Sequence, residues 1–120
     1  MHTLNKVYAV VRAGQVRQNG HSVMVYRTRE DGRVNIECGI ETEGRFEPIG
    51  EVVYSETPPG MAVTAAHIGP YEKLGTSYAA LKEWSSRNGY QLAGTCWEVY
   101  GDWHEDPAKL RTDIFYLVRP

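Results

Sequence analysis

The pattern Leu-x-x-x-Tyr-Ala occurs twice in this chain, at Leu4, Tyr8 and Ala9 and again at Leu74, Tyr78 and Ala79. Each time a glycine-containing turn and two strand-like segments follow. Apolar residues three and four apart share one face of a helix. Leu4, Tyr8 and Val11 therefore predict a first helix with Thr3 as its N-cap, and Leu74, Tyr78, Leu81 and Trp84 predict the apolar stripe of a second. Residues 22–27 and 33–40 read as strands joined by an Asp31-Gly32 turn, and residues 95–100 and 112–118 as a second hairpin with a long tip. The order helix, strand, strand is thus present twice. Val25-Tyr26 matches Val99-Tyr100, and Arg33-Val34-Asn35-Ile36 matches Arg111-Thr112-Asp113-Ile114. The competing reading is chance likeness between two amphipathic helix-hairpin units.

Only the second copy has a strand ahead of its helix, at residues 60–68. Gly69-Pro70 ends that strand and sets the proline at the helix start, and Asn88-Gly89 closes the helix. The expected class is α+β in a single domain. A truncated first repeat spans residues 1–42, a connecting loop rich in Gly and Pro spans 43–59, and the second repeat spans 60–120. A cleft where two such halves meet is a common ligand site.

Thirteen Lys plus Arg against fifteen Asp plus Glu leave a formal charge of −2, with the basic residues scattered. Direct nucleic-acid binding is not expected from that distribution. Cys38 and Cys96 lie far apart, outside any CxxC spacing, so neither a disulfide framework nor a zinc ribbon is expected and a reducing, cytoplasmic setting is the default. No basic segment followed by an apolar stretch begins the chain and no long apolar run occurs, so neither secretion nor membrane insertion is expected.

Glu98 stands inside Thr95-Cys96-Trp97-Glu98-Val99-Tyr100, a strand otherwise mostly apolar. Strand alternation puts Cys96, Glu98 and Tyr100 on one face and Trp97 and Val99 on the other. The expectation is that the helix packs on the apolar face while Glu98 looks into a cleft. The alternative is a solvent-exposed carboxylate on an edge strand, or one partner of an internal salt bridge.

The run Pro59-Gly60-Met61-Ala62-Val63-x-x-x-His67-x-Gly69-Pro70-Tyr71-x-x-Leu74 resembles the start of the second half of the gyrase-inhibitor-like small-molecule-binding family, which also supplies effector-binding modules to AraC-type and MerR-type regulators. Further matches follow in order: Leu81-x-x-Trp84, Asn88-Gly89-Tyr90, Glu98-x-Tyr100, Asp106-Pro107 and Leu110-Arg111-Thr112-Asp113-Ile114. The likeness is good from about residue 50 onward and weaker before it. It implies a duplicated β-α-β-β (SHS2-type) fold whose antiparallel sheets line a central cleft. This chain departs from the family in lacking the first strand of the first repeat, which suggests a homodimer formed through the truncated half, since an uncovered edge invites pairing.

The same resemblance implies that Glu98 meets a small aromatic or cationic ligand; no cofactor and no metal are expected. Removal of water strengthens the attraction of a carboxylate for a delocalised cation, and aromatic faces add about 0.5 to 2 kcal/mol each. Tyr26, Tyr100 and Tyr116 are candidate walls, against the plainer reading of ordinary core aromatics. Tyr71 and His67 lie where strand meets helix, although a lone histidine is more often a satisfied structural residue. The loop from Gly101 to Pro107 is expected to be a solvated hairpin tip and not a metal site, with Trp103 able to fold over the cleft. The leading functional reading is a stand-alone binder that sequesters or senses drug-like compounds. One alternative is a cofactor-independent hydrolase of strained, cyclopropane-type compounds, with Glu98 as base and Tyr100 or Tyr116 as acid. Another is a protein-protein module that modulates gyrase.

Overall fold

The computed structural model describes residues 18–42, 45, 47–50 and 55–119, together with Lys6, Tyr8 and Ala9; of residues 18–20 the backbone alone is described. Its elements are β1 (Gln18–Thr28), β2 (Val34–Thr42), β3 (Ala62–Ile68), α1 (Leu74–Arg87), β4 (Leu92–Tyr100) and β5 (Arg111–Val118). Single 3-10 turns, Tyr71–Lys73 and Pro107–Lys109, precede α1 and β5. The N-cap and most of the first predicted helix, including Thr3, Leu4 and Val11, lie outside the described residues. Lys6, Tyr8 and Ala9 are helical.

Local chemistry places the turns where the sequence expects them. Gly32 sits at φ 85° in the first hairpin and Gly89 at φ 78° just beyond α1, both in the left-handed region that costs glycine nothing. The α1 terminus is closed by amides of Asn88 and Tyr90 donating to the carbonyls of Trp84 and Ser85. Strand β1 runs longer than expected because its register shifts between Gln18 and Ser22, which lets pairing resume after an irregularity.

All five strands pair antiparallel in one sheet, in the order β2-β1-β4-β5-β3. The expectation of separate sheets is therefore corrected. Residues Val23 to Arg27 of β1 pair with Thr95 to Val99 of β4, and this central seam fuses the two hairpins. Successive side chains then form cross-strand rows on the face that carries α1. One row reads Cys38, Met24, Glu98, Ile114, Ala65. On one side of it lie Ile36, Tyr26, Cys96, Tyr116 and Val63. On the other side Tyr100, Thr112 and His67 align.

Helix α1 covers the second half of the sheet. Leu81 packs with Val63 and Ile114 in a buried cluster fringed by Leu74, Tyr78, Leu92, Tyr116 and Val118. Complete burial of such aliphatic side chains stabilises the fold by about 1.5–3 kcal/mol each. The predicted stripe is corrected at its end, where Trp84 is 50% exposed and stacks on Tyr90 while Ser85 is buried. Position 85 continues the spacing of Leu74, Tyr78 and Leu81, and position 84 turns off that line. The Ser85 hydroxyl satisfies itself by donating to the Leu81 carbonyl at 2.8 Å. On the opposite sheet face Trp97 is buried in parallel stacking with Phe115, ring centroids 5.5 Å apart, beside buried Val25.

Candidate functional site

Glu98 stands on the central strand, two residues before its C-terminal end, and is 5% exposed. Alternation holds: Cys96 and Tyr100 share its face, and Trp97 lies on the other. The helix, however, covers the carboxylate's own face, not the Trp97 face. Tyr78, reaching down from α1, donates its hydroxyl to Glu98 Oε2 at 2.5 Å, and the Tyr100 hydroxyl donates to Oε1. A helix stripe that mixes Leu with Tyr gives a covering layer that is apolar over Ile114 and polar over Glu98. Such a layer suits both residues without turning the carboxylate away.

A buried carboxylate requires partners, because taking an ionised group out of water without them is very costly. Here two phenols replace water, one on each oxygen. Each carboxylate oxygen keeps unused acceptor capacity, because the group offers about four lone-pair sites. Among the described residues no ion pair joins Glu98 to a Lys, Arg or His. Burial, the bond to Glu98 and its negative charge all push the Tyr78 and Tyr100 phenols far above their ordinary range, so both remain neutral donors. Tyr26 is raised by burial and then by the Glu98 charge, with neighbouring Tyr100 acting in the opposite direction. Cys96 is raised chiefly by burial, with neighbouring Tyr78 acting in the opposite direction.

The sequence-expected residues divide into those gathered at Glu98 and those held apart. Tyr100 is bonded to it directly, and Tyr26 lies near enough for the Glu98 charge to raise its phenol. Tyr71, 42% exposed, stands edge-on to Tyr100 with centroids 5.7 Å apart at 80° and forms the outer rim. Tyr116 lies across from Cys96, one row away, with the Lys82 ammonium 5.9 Å from its ring centroid, and burial raises its phenol. His67 is buried and fully engaged. Pro70 O can only accept, so Nε2 carries a proton and donates at 3.0 Å, while Nδ1 and the Ser77 hydroxyl are hydrogen-bonded at 2.6 Å. That network ties the end of β3 to the start of α1. Trp103 is 75% exposed and lines a hollow with Val99, Arg111 and Asp113, whose side chains alternate away from Glu98.

Tyr78 is the site residue that sequence reasoning passed over, assigning it only to an apolar stripe. The available signal was chemical: a tyrosine on a buried helix face needs a partner for its hydroxyl, and the nearest unpartnered strand group in the motif was Glu98. Tyr8, its counterpart in the earlier Leu-x-x-x-Tyr-Ala pattern, likewise places its hydroxyl on a strand, against the Ser22 hydroxyl of β1. Among the described residues no three His, Cys, Asp or Glu side chains gather in a metal-ligating cluster, and no helix is long and apolar enough to cross a membrane.

Comparison with known proteins bears on this geometry. The model of the GyrI-like small molecule binding domain matches residues 8–119. Among solved structures, EcmrR in a cryo-EM structure of the EcmrR-DNA complex in EcmrR-RPo aligns with a TM-score of 0.79 at 25% identity, over 93% of this chain and 45% of that one. The crystal structure of the EcmrR C-terminal domain aligns with a TM-score of 0.76 at 23% identity, over 95% of this chain and 82% of that one. The chain thus spans under half the length of the EcmrR chain in the DNA complex. No curated protein matches it.

Proposed function

The chain belongs to the family of GyrI-like small-molecule-binding domains, and on that premise we propose that it binds small aromatic cations over Glu98 and so sequesters or senses them. The supporting observation is the 5% exposed carboxylate held by two neutral phenols, with no cation paired to it among the described residues. At an effective dielectric of about 20, unit charges about 4 Å apart attract by about 4 kcal/mol, against about 1 kcal/mol in bulk water. The rings of Tyr26, Tyr71 and Tyr100 supply faces and edges on which a planar cation rests, each face adding about 0.5–2 kcal/mol.

Duplication of a helix-hairpin unit is part of the same proposal. Its support is that Met24 and Glu98, equivalent when Val25-Tyr26 is matched with Val99-Tyr100, lie directly opposite each other where β1 meets β4. A homodimer through the first half is also proposed, because β2 is the outermost described strand on that side and carries Val34 and Ile36 about half exposed. Direct nucleic-acid contact is not part of the proposal, given scattered basic residues and a charge of −2. The hydrolytic alternative asks Glu98 to take a proton from water, whereas both of its oxygens already accept a phenol hydroxyl, so binding is the reading developed here.

The test is calorimetric titration with N-methylquinolinium and its neutral isostere 1-methylnaphthalene. Glu98→Gln should weaken the cation by at least about tenfold, or ~1.4 kcal/mol, and leave the neutral ring unchanged. Equal affinity of wild type and variant for the cation would remove Glu98 from the site.

A further inference from the structure

A hollow of about 440 Å3 opens on the sheet face away from Glu98, at the end where the β4–β5 hairpin begins. Its volume falls within the range of about 300–1,000 Å3 usual for small-molecule sites. Trp103 lies at its wall and is 75% exposed, an unusual state for the largest side chain unless something stacks on it. Val99 and Asp113, directly paired across the two strands, form part of its floor.

Formal charges in the lining cancel, Lys109 and Arg111 against Asp102 and Asp113, so charge count alone selects no ligand. Hydrogen-bonding capacity does. The two carboxylates are already engaged, Asp113 by Arg111 Nε at 3.0 Å and Asp102 by His21 Nε2 at 2.7 Å. Asp102 is moreover 95% exposed, where solvent screens it strongly. The donors are largely unspent. Arg111 uses only Nε, and among the described residues no carboxylate is paired with Lys109. His104 accepts the Asp106 amide at Nδ1, which leaves Nε2–H as a donor, and the Trp103 indole supplies another.

We propose that this hollow is a second ligand site, for a flat aromatic anion such as an aryl carboxylate, with the ring on Trp103 and the anionic group on Lys109 and the outer nitrogens of Arg111. A guanidinium fork fits a planar carboxylate, and a lysine adds a mobile point charge. The ligand sign is opposite to that proposed for Glu98, and although Tyr100 borders both sites, Val99, Arg111 and Asp113 face away from Glu98, and neither Trp103 nor Lys109 touches it.

The experiment is calorimetric titration of the full chain with 2-naphthoate and with neutral 2-naphthylmethanol, on wild type, Lys109→Glu, Trp103→Ala and Glu98→Gln, each checked for native circular dichroism. Wild type is expected to prefer the anion, Lys109→Glu to bind it at least about tenfold more weakly and Trp103→Ala at least about fivefold, with Glu98→Gln unchanged. No heat up to about 1 mM naphthoate, equal affinity for the alcohol, indifference to Lys109→Glu, or loss in Glu98→Gln would overturn the proposal. Failure of cation binding at Glu98 leaves each of these outcomes readable.

Discussion

The two hairpins β1–β2 and β4–β5, which meet at the β1–β4 seam, present side chains to the same helix-bearing face and differ at their point of contact. Met24 of β1 lies directly opposite Glu98 of β4. Met24 is content with the Cys38 sulfur, 3.5 Å from its own, as a soft side chain that needs no strong partner. Glu98, in an equally central position, has drawn Tyr78 from the helix and Tyr100 from its own strand. The second strand of each hairpin repeats the contrast: Tyr26 lies across from Ile36, while Tyr100 lies across from Thr112. One hairpin thus packs, and the other carries polarity into the interior and must satisfy it. The proposed cation binding rests on that carboxylate, standing where a thioether serves next door.

Replacing Glu98 by Met makes β4 copy β1 and is the strongest test of that contrast. Two partly buried phenol hydroxyls then lose their acceptor, at up to about 1–3 kcal/mol each, so stability in urea should fall and any preference for aromatic cations should vanish. An unchanged denaturation midpoint would mean that the two hairpins are energetically alike at this position.

Alkaline pH separates the hairpins more gently. The Tyr78 and Tyr100 phenols titrate above their unfolded range, so the unfolded chain releases their protons first as pH passes about 10. Their contribution is complete below that pH and is lost as pH rises, by at most about 1.4 kcal/mol per pH unit for each phenol. Urea denaturation between about pH 9 and 11 should show this fall, and Tyr78→Phe should reduce its slope. A slope that Tyr78→Phe leaves intact would place the alkaline loss elsewhere.

The smallest effect is expected at Thr112. Its residue is wholly buried, and its hydroxyl has no hydrogen-bond partner among the described residues. Thr112→Val, which makes β5 resemble β2, should stabilise the fold by about 1 kcal/mol, read as a raised urea midpoint. A lowered midpoint would show that the hydroxyl is satisfied in solution.

Much of the local structure was legible because it rests on periodicity and turn chemistry. The Asp31-Gly32 turn, the strand ahead of Gly69-Pro70, the body of α1 and the alternation around Glu98 all stand as the residues indicate. Matching the hairpins by identity was less secure. The sequence aligns Ile36 with Ile114, whereas by position opposite the two tyrosines Ile36 corresponds to Thr112. Turn length sets strand register, and the two turns differ in length. Trp84 was misjudged for a related reason, since one residue at the end of a helical stripe turns a side chain from the sheet to solvent.

By itself the sequence determined which residues form strands and helix, and that Glu98 shares a face with Cys96 and Tyr100, because those follow from backbone periods of two and 3.6 residues. Tertiary structure alone decided that α1 lies over that same face, that Tyr78 reaches the carboxylate, that β1 and β4 join in one sheet, and that Trp103 turns to the far side. Alternation names two faces without saying which one a distant element will cover, and that choice is made only when segments far apart in the chain pack together.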